Sequence, residues 1–163
     1  MARRTKFKTL PVEVKELWMD GVQVTATAAE LNNAADTSAN MEVVTATNVI
    51  TASESGKTFF LDAVAGFLST LPTPALGLNY TFIVKTSPTS NGYTIGTPTA
   101  DIIIGMVLER AGTAGVADAN GDLVTLVANQ SIKGDWLKFV SDGTSWFMHG
   151  MVDVAAGVTS TTT

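Results

Sequence analysis

The sequence contains no cysteine and only one histidine, and charged residues make up 15% of its 163 residues. Without cysteine, neither a disulfide framework nor thiolate chemistry is available, and a metal site would need oxygen ligands or that single histidine. No uninterrupted apolar run reaches the roughly 18 residues of a membrane span, and the basic start MARRTKFK leads into LPVEVKELWMD instead of an apolar signal core. We therefore predict no cofactor, no membrane partner and no conventional secretion signal.

Positive charge is concentrated at the start of the chain. Four basic residues stand among the first eight, namely Arg3, Arg4, Lys6 and Lys8, although the whole chain carries a formal net charge of -5. A basic terminus can contact nucleic acid or an acidic protein surface. An acidic body repels nucleic acid, however, and only one aromatic residue, Phe7, is interleaved with the basic ones. We expect no nucleic-acid partner.

From about residue 42 the chain alternates short β-prone runs with turn signals. The runs are EVVTATNVITA (42–52), KTFFLDA (57–63), GFLSTL (66–71), LNYTFIVKT (78–86), GYTIG (92–96), DIIIGMVLE (101–109), DLVTLVANQ (122–130), DWLKFVSD (135–142) and SWFMHGMVD (145–153). No helical pattern of ten or more residues lies between them, which argues against a parallel α/β fold. Nine short strands at this spacing predict an all-β domain, a β-sandwich or jelly-roll-like barrel.

Alternation within the strands predicts which side chains are buried, because successive residues of a strand point to opposite faces. The predicted core consists of Phe60, Leu71, Tyr80, Phe82, Val84, Val124, Leu126 and Phe139. In DIIIGMVLE and DWLKFVSD both faces carry apolar residues. We therefore expect a second layer or a neighbouring subunit to cover the outer faces.

The first 40 residues have no sustained period and differ from the rest. We predict an N-terminal arm over 1–40, a β-sandwich domain over 41–153 and a flexible tail over 154–163, where bulky side chains run out. Within the arm, Thr27 to Glu30 matches a capping box and predicts a short helix over about 28–35. Such a short helix with Leu31 as its only large apolar contact is marginal alone, so the arm requires a partner surface.

Two short motifs resemble ligand-binding loops. ESGKT (54–58) looks like the end of a phosphate-binding loop, but Thr51 stands where that motif requires glycine, and FFLDA is strand-like instead of helical. DANGD (118–122) has the acidic spacing of a calcium loop but lacks its glycine and its final glutamate. We interpret both as hairpin turns. A weak calcium site on the acidic loops stays open.

The remaining candidates for chemistry are isolated. His149 has no second ligand for zinc and no serine elbow for a triad, so we expect it to be satisfied within a sheet or a subunit contact. Trp136, Trp146 and Phe147 could form a sugar-stacking platform, although core or cross-strand pairs are the commoner use of such aromatics. We predict no catalytic residues and no enzymatic activity.

Three stretches resemble known proteins. VTATAAELN (24–32) resembles a segment that recurs in structural proteins of tailed bacteriophages, including fibre and head-associated proteins. The blocks SGKTFFLDAVAGFLSTLPTPALGLNYTFIV (55–84) and DANGDLVTLVANQSIKGDWLKFVSDGTSWFMHG (118–150) are similar to small virion proteins of the capsid decoration, or cement, type. That resemblance implies a β-rich homotrimer on the capsid exterior, made in the host bacterial cytoplasm, which clamps neighbouring major capsid protein subunits through an extended terminal arm.

With this resemblance, the arm becomes the candidate docking element, on the capsid or on neighbouring decoration subunits. The expected docking residues are Leu10, Val12, Leu17, Trp18, Met19 and Leu31, with Arg3, Arg4, Lys6 and Lys8 as electrostatic support. Two alternatives stay open. VTATAAELN also resembles segments of tail fibre or tail-tip components, and a carbohydrate-binding β-sandwich module would expose Trp136 or Trp146.

Overall fold

The computed structural model describes residues 18–25, 27, 37–98, 102–110 and 115–162. Contacts divide the chain into two units, Met1–Ala35 and Asp36–Thr163, and each is described by itself. In the described parts, no helix is long and apolar enough to cross a membrane.

The first unit contains a β-hairpin, formed by β1 (Trp18–Met19) and β2 (Val22–Gln23). Asp20 and Gly21 connect the two strands with positive φ angles of 49° and 78°. Two successive positive φ angles match a tight two-residue turn whose twist fits the flanking strands, and Asp-Gly is a preferred pair there. The helix predicted over 28–35 lies outside the described residues and stays a prediction.

In its described residues the second unit consists of β-strands and three short 3-10 helices, at Thr37–Asn40, Ala52–Glu54 and Ala155–Gly157. Its strands are β3 (Met41–Val44), β4 (Asn48–Val49), β5 (Thr58–Leu61), β6 (Phe67–Thr70), β7 (Asn79–Val84), β8 (Tyr93–Gly96), β9 (Ile103–Glu109), β10 (Gly115–Gly121), β11 (Leu123–Leu126), β12 (Trp136–Ser141), β13 (Trp146–Val152) and β14 (Val158–Thr161). Each of the nine predicted runs contains a strand. The prediction of an all-β two-sheet domain is therefore confirmed.

The strands form two sheets. One has seven strands in the order β10-β9-β13-β12-β7-β5-β3, and the other has five in the order β14-β11-β8-β6-β4. From β3 to β8 the chain alternates between the sheets, so that β3, β5 and β7 lie parallel in one and β4, β6 and β8 lie parallel in the other. The first part of this unit therefore winds as a coil in which each turn adds one strand to both sheets.

One apolar core joins the inner faces of the two sheets. β7 shows the alternation that builds it, because Tyr80, Phe82 and Val84 are buried while the residues between them are half-buried. Of the eight predicted core residues, seven are buried. Phe60 is the exception: Phe59 and Leu61 occupy the inner positions of β5, so Phe60 faces the opposite side of the sheet.

Three predictions, two about hairpin turns and one about the C-terminal tail, are wrong because they depended on local sequence alone. ESGKT does not close a hairpin, because the strands it joins, β4 and β5, belong to different sheets. DANGD does not turn back either: β10 runs to Gly121, and the chain then changes sheet into β11. The tail predicted as flexible over 154–163 contains β14, which pairs with β11 and buries Val158. Local turn chemistry cannot reveal pairings made by distant strands.

Candidate interaction surface

The most unusual surface of the second unit is the outer face of the seven-stranded sheet, meaning the side opposite the core. Strand register places six large apolar side chains next to one another across six strands. In spatial order this apolar row consists of Val43, Phe60, Ile83, Trp136, Met151 and Leu108. Because neighbouring strands are about 4.8 Å apart, the row spans about 24 Å.

Exposure of the apolar row is highest at its ends. Val43 is 51% exposed and Leu108 is 52% exposed, and Met151 reaches 44%. An exposed leucine or valine by itself is ordinary on a protein surface. A continuous row of such residues is unusual, because monomeric proteins expose few large contiguous apolar patches, and those patches mark interaction sites. The apolar row therefore indicates a contact surface.

A second row of the outer face, two residues further along the strands, is polar in its middle. Its members in spatial order are Met41, Thr58, Thr81, Lys138, His149 and Met106. Beyond it, Val140 pairs with Phe147, and Phe147 pairs with Ile104. Lys138 is the only Lys, Arg, Asp or Glu at the outward positions of these six strands, which do not include β10. Over these six strands the outer face is therefore mainly apolar and almost uncharged.

His149 contributes to this face through a ring contact. Its imidazole and the Trp136 indole meet edge to face, with ring centroids 6.1 Å apart at 88°. Together with Met106, Leu108 and Met151 they line an open depression of about 290 Å³. This histidine, predicted to be satisfied within a sheet or a subunit contact, lies on the outer face, beside the apolar row.

A second depression of about 250 Å³ adjoins the first, and Trp136 and Met151 line both. Its rim carries charge of both signs, since Arg110 forms an ion pair with Asp153 and Lys133 lies nearby. Asp135 also lines it; this residue is only 5% exposed, and its carboxylate accepts hydrogen bonds from within the chain. These carboxylate oxygens are occupied by structural contacts, so the second depression offers mainly an apolar wall.

The five-stranded sheet presents a different outer face. Its central row places Leu68, Thr94, Thr125 and Thr159 side by side. The hydroxyl groups of Thr94 and Thr125 are 3.0 Å apart and hydrogen-bonded. Threonine combines high strand propensity with a polar group, which suits a strand facing water. The apolar row is therefore a property of one sheet and not of the whole molecule.

The residues predicted for docking are only partly visible. Trp18 is 56% exposed in the β1–β2 hairpin, and the backbone of Met19 pairs with Val22. The other predicted docking residues, Arg3, Arg4, Lys6, Lys8, Leu10, Val12, Leu17 and Leu31, lie outside the described residues. Their role stays a prediction.

The ESGKT segment is held by charge. Lys57 donates to Glu42 at 2.8 Å and to Glu54 at 3.1 Å, and the hydrogen bond to Glu42 raises the pKa of the lysine. Burial pushes the pKa of Glu54 upward, but hydrogen bonds from the Thr51 N–H and hydroxyl and from Lys57 outweigh it, so this pKa lies below its usual value. The lysine of this motif, which resembles that of a phosphate-binding loop, therefore connects its own segment to β3.

The tryptophans do not form the platform that a sugar-binding module would need. Trp146 is fully buried, with its ring centroid 5.6 Å from that of Tyr80. Burial also raises the pKa of Tyr80 to about 12, since ionisation inside the core is unfavourable. Trp136 and Phe147 do share the outer face, but they belong to different rows. Within the described residues, no group of three or more His, Asp or Glu side chains is placed to hold a metal ion.

Strand register is what sequence reasoning missed. Apolar residues on both faces of DIIIGMVLE and DWLKFVSD were a usable signal for an outer contact surface. The apolar row also needs the parallel pairing of β3 with β5 and of β9 with β13, which no local pattern specifies.

Comparisons with known proteins do not identify this chain: no protein-family model, no curated protein and no solved structure matches it.

Proposed function

We propose that this chain is a non-enzymatic structural protein of a tailed-bacteriophage virion, which decorates the capsid exterior as a homotrimer and binds across neighbouring major capsid protein subunits. The observation that supports a binding role is the apolar, nearly uncharged outer face of the seven-stranded sheet. Such a face gains most from being covered by protein, because burying apolar surface contributes about 25 cal/mol per Å². The phage assignment rests on the resemblance of residues 24–32, 55–84 and 118–150 to virion proteins.

The proposed mechanism is added contact area across joints between capsid subunits. A standard protein interface buries about 800 Å² on each partner. A decoration protein bound across a joint must be released before the joint opens, so binding stabilises the closed capsid by mass action. Internal pressure from packaged DNA would then have to break these contacts as well as those between capsid subunits.

The arm is proposed to supply the attachment. Its first eight residues are strongly basic, whereas the β body carries most of the acidic residues. Leu10, Val12, Leu17 and Leu31 provide apolar side chains that a small helical segment cannot bury alone. Docking on the major capsid protein, or on a neighbouring decoration subunit, would give these residues a partner.

Removal of residues 1–40 tests the proposal. The truncated protein should keep its far-UV circular dichroism and its oligomeric state but no longer co-sediment with empty, expanded capsids of the same phage. A matched control is the full chain with Leu68→Lys, a change on the threonine-rich face of the five-stranded sheet, which should bind like the parent. Unchanged capsid binding by the truncated protein would refute docking through the arm.

Copy number in the purified virion separates the capsid from the tail. A decoration protein is present in many copies spread over the whole shell, whereas a tail fibre or tail-tip component is present in few. Quantitative mass spectrometry of virions, calibrated against the major capsid protein, measures this ratio. A ratio typical of a tail component would replace the capsid proposal with the tail one.

A further inference from the structure

We propose that the outer face of the seven-stranded sheet, centred on the apolar row, is the surface through which copies of this chain bind one another. The inference rests on the proposed function only for the expectation of a homotrimer. It adds which face associates, and it can fail while the capsid role stands.

The size of the face fits self-association. Six strands span about 24 Å; four of them have six or seven residues and are about 20 Å long, and two have four residues and are about 13 Å long. The face therefore measures about 450 Å² in projection, and side-chain relief increases that area. Stable interfaces bury about 600–1,000 Å² on each partner, so this single face provides a large part of the area that one contact needs.

The features of the face support a second copy as the occupant, because one chain offers both an exposed aromatic ring and a recess. Phe147 lies at an outward position of β13 and is 43% exposed. The depression beside Trp136, Met106 and Leu108 is lined mainly by apolar side chains and is large enough to receive an aromatic ring. A closed trimer is built from heterologous contacts, in which a feature of one copy meets a different feature of the next, and Phe147 and the depression are two such features.

The charge of the face points the same way. Lys138 lies one row away from the apolar row, two residues further along β12, so copies that meet along the apolar row do not have to oppose their lysines. A nucleic acid would favour many basic groups, and the outward positions of the six strands hold one, Lys138. At the edge of the apolar row, Arg110 is ion-paired with Asp153 and Lys85 with Asp62. A weakly charged apolar surface is typical of contacts between subunits that stay together.

A pair of leucine substitutions tests the proposal. Leu108 on the outer face is 52% exposed, and Leu68 on the outer face of the five-stranded sheet is 38% exposed. Sedimentation equilibrium of the purified full-length chain should give a trimer for the parent and for Leu68→Lys. For Leu108→Lys the dissociation constant should rise at least a hundredfold, because a lysine ammonium group would be buried against apolar side chains. Equal association of both variants, or dissociation of both, overturns the assignment.

Thiol protection gives a second measurement that does not depend on a disruptive change. The chain has no cysteine, so the measured reaction rate of a single introduced cysteine is not mixed with that of any other thiol. In Leu108→Cys the rate of reaction with a disulfide reagent should fall at least tenfold as protein concentration rises through the assembly range, and in Leu68→Cys it should stay constant. A Leu108→Cys thiol that stays reactive in assembled protein overturns the proposal.

Two further outcomes separate this inference from the proposed function. A parent chain that is monomeric at every concentration overturns self-association, while capsid binding by the arm is measured independently. A Leu108→Cys thiol that becomes protected only when capsids are added overturns it as well, and assigns the face to the major capsid protein.

Discussion

Phe59 and Phe60 are adjacent in sequence but point to opposite faces of β5, which makes them a sharp test of the fold. Phe59 is fully buried, and its ring stacks on that of Phe82 with centroids 5.4 Å apart. Phe60 belongs to the apolar row and is only half-buried, between Val43 and Ile83. Removing the Phe59 ring leaves a cavity in the core, whereas removing the Phe60 ring only reduces the apolar surface of the outer face.

The expected magnitudes differ several-fold. Phe59→Ala should lower the free energy of unfolding by about 3–5 kcal/mol, because the buried ring is lost and a cavity remains. For a domain of this size that corresponds to a decrease in melting temperature of about 10–20 °C. Phe60→Ala should cost about 1 kcal/mol in dilute protein, since its ring is already partly hydrated.

Urea unfolding followed by far-UV circular dichroism measures both variants, at two protein concentrations. The cost of Phe60→Ala should increase with concentration, because the proposed association through the outer face would stabilise only the folded chain. The cost of Phe59→Ala in the dilute sample should exceed that of Phe60→Ala at least twofold. A larger loss for Phe60→Ala in dilute protein would refute the assigned orientation of β5.

Three further changes test other parts of the second unit. Gly105→Ala would place a Cβ 1.8 Å from the carbonyl oxygen of Met148, so β9 and β13 would have to separate. Chemical denaturation should show a decrease of about 2–3 kcal/mol in the free energy of unfolding. An unchanged denaturation midpoint would contradict the close approach of the two strands. Asp135→Ala removes the acceptor of three hydrogen bonds and should lower the free energy of unfolding by about 3–5 kcal/mol in the same assay. Asp135→Asn keeps part of this acceptor capacity and should lower it less. Equal effects of the two substitutions would show that these hydrogen bonds contribute little. Hydrogen bonds from the backbone N–H groups of Thr144 and Ser145 lower the pKa of Asp142 below its usual value of 3.8. The ionised Asp142 carboxylate therefore stabilises the fold fully above pH 3.8, and this stabilisation is lost as the pH falls through the lower pKa of the folded state. Carboxyl NMR titration should give a midpoint below 3.8, and a midpoint at or above 3.8 would disprove the turn geometry.

Sequence alone predicted the all-β class, nine runs that each contain a strand, and most of the core; β1, β2, β10 and β14 lie outside these runs. These follow from local chemistry: β-branched and aromatic residues alternate with polar ones, and Gly, Pro, Asn and Asp interrupt them. Phe60 was misplaced because KTFFLDA has two consecutive phenylalanines, and alternation alone does not say which one faces inward. Once β5 pairs with β7, Phe59 lies beside Phe82 and the choice is fixed.

The missed elements depended on partners far away in the chain. β14 consists of small residues with little strand signal beyond their threonines, and it is ordered because β11 offers a free edge beside it. The coil from β3 to β8 was hidden because each connection changes sheets, while its turn residues look like those of hairpins. The candidate surface could be anticipated only as apolar outer faces, since its continuity depends on register.

The order in which the apolar row is assembled has a consequence for when the protein can associate. In space the row reads 43, 60, 83, 136, 151 and 108, so its neighbours come from distant points of the chain. Ribosomes add about 5–20 residues per second, so several seconds pass between the synthesis of Val43 and that of Met151. A nascent chain holds only fragments of the surface during that time. If copies of the chain associate through this face as proposed, they can do so only after β12 and β13 have been synthesised and have joined the sheet.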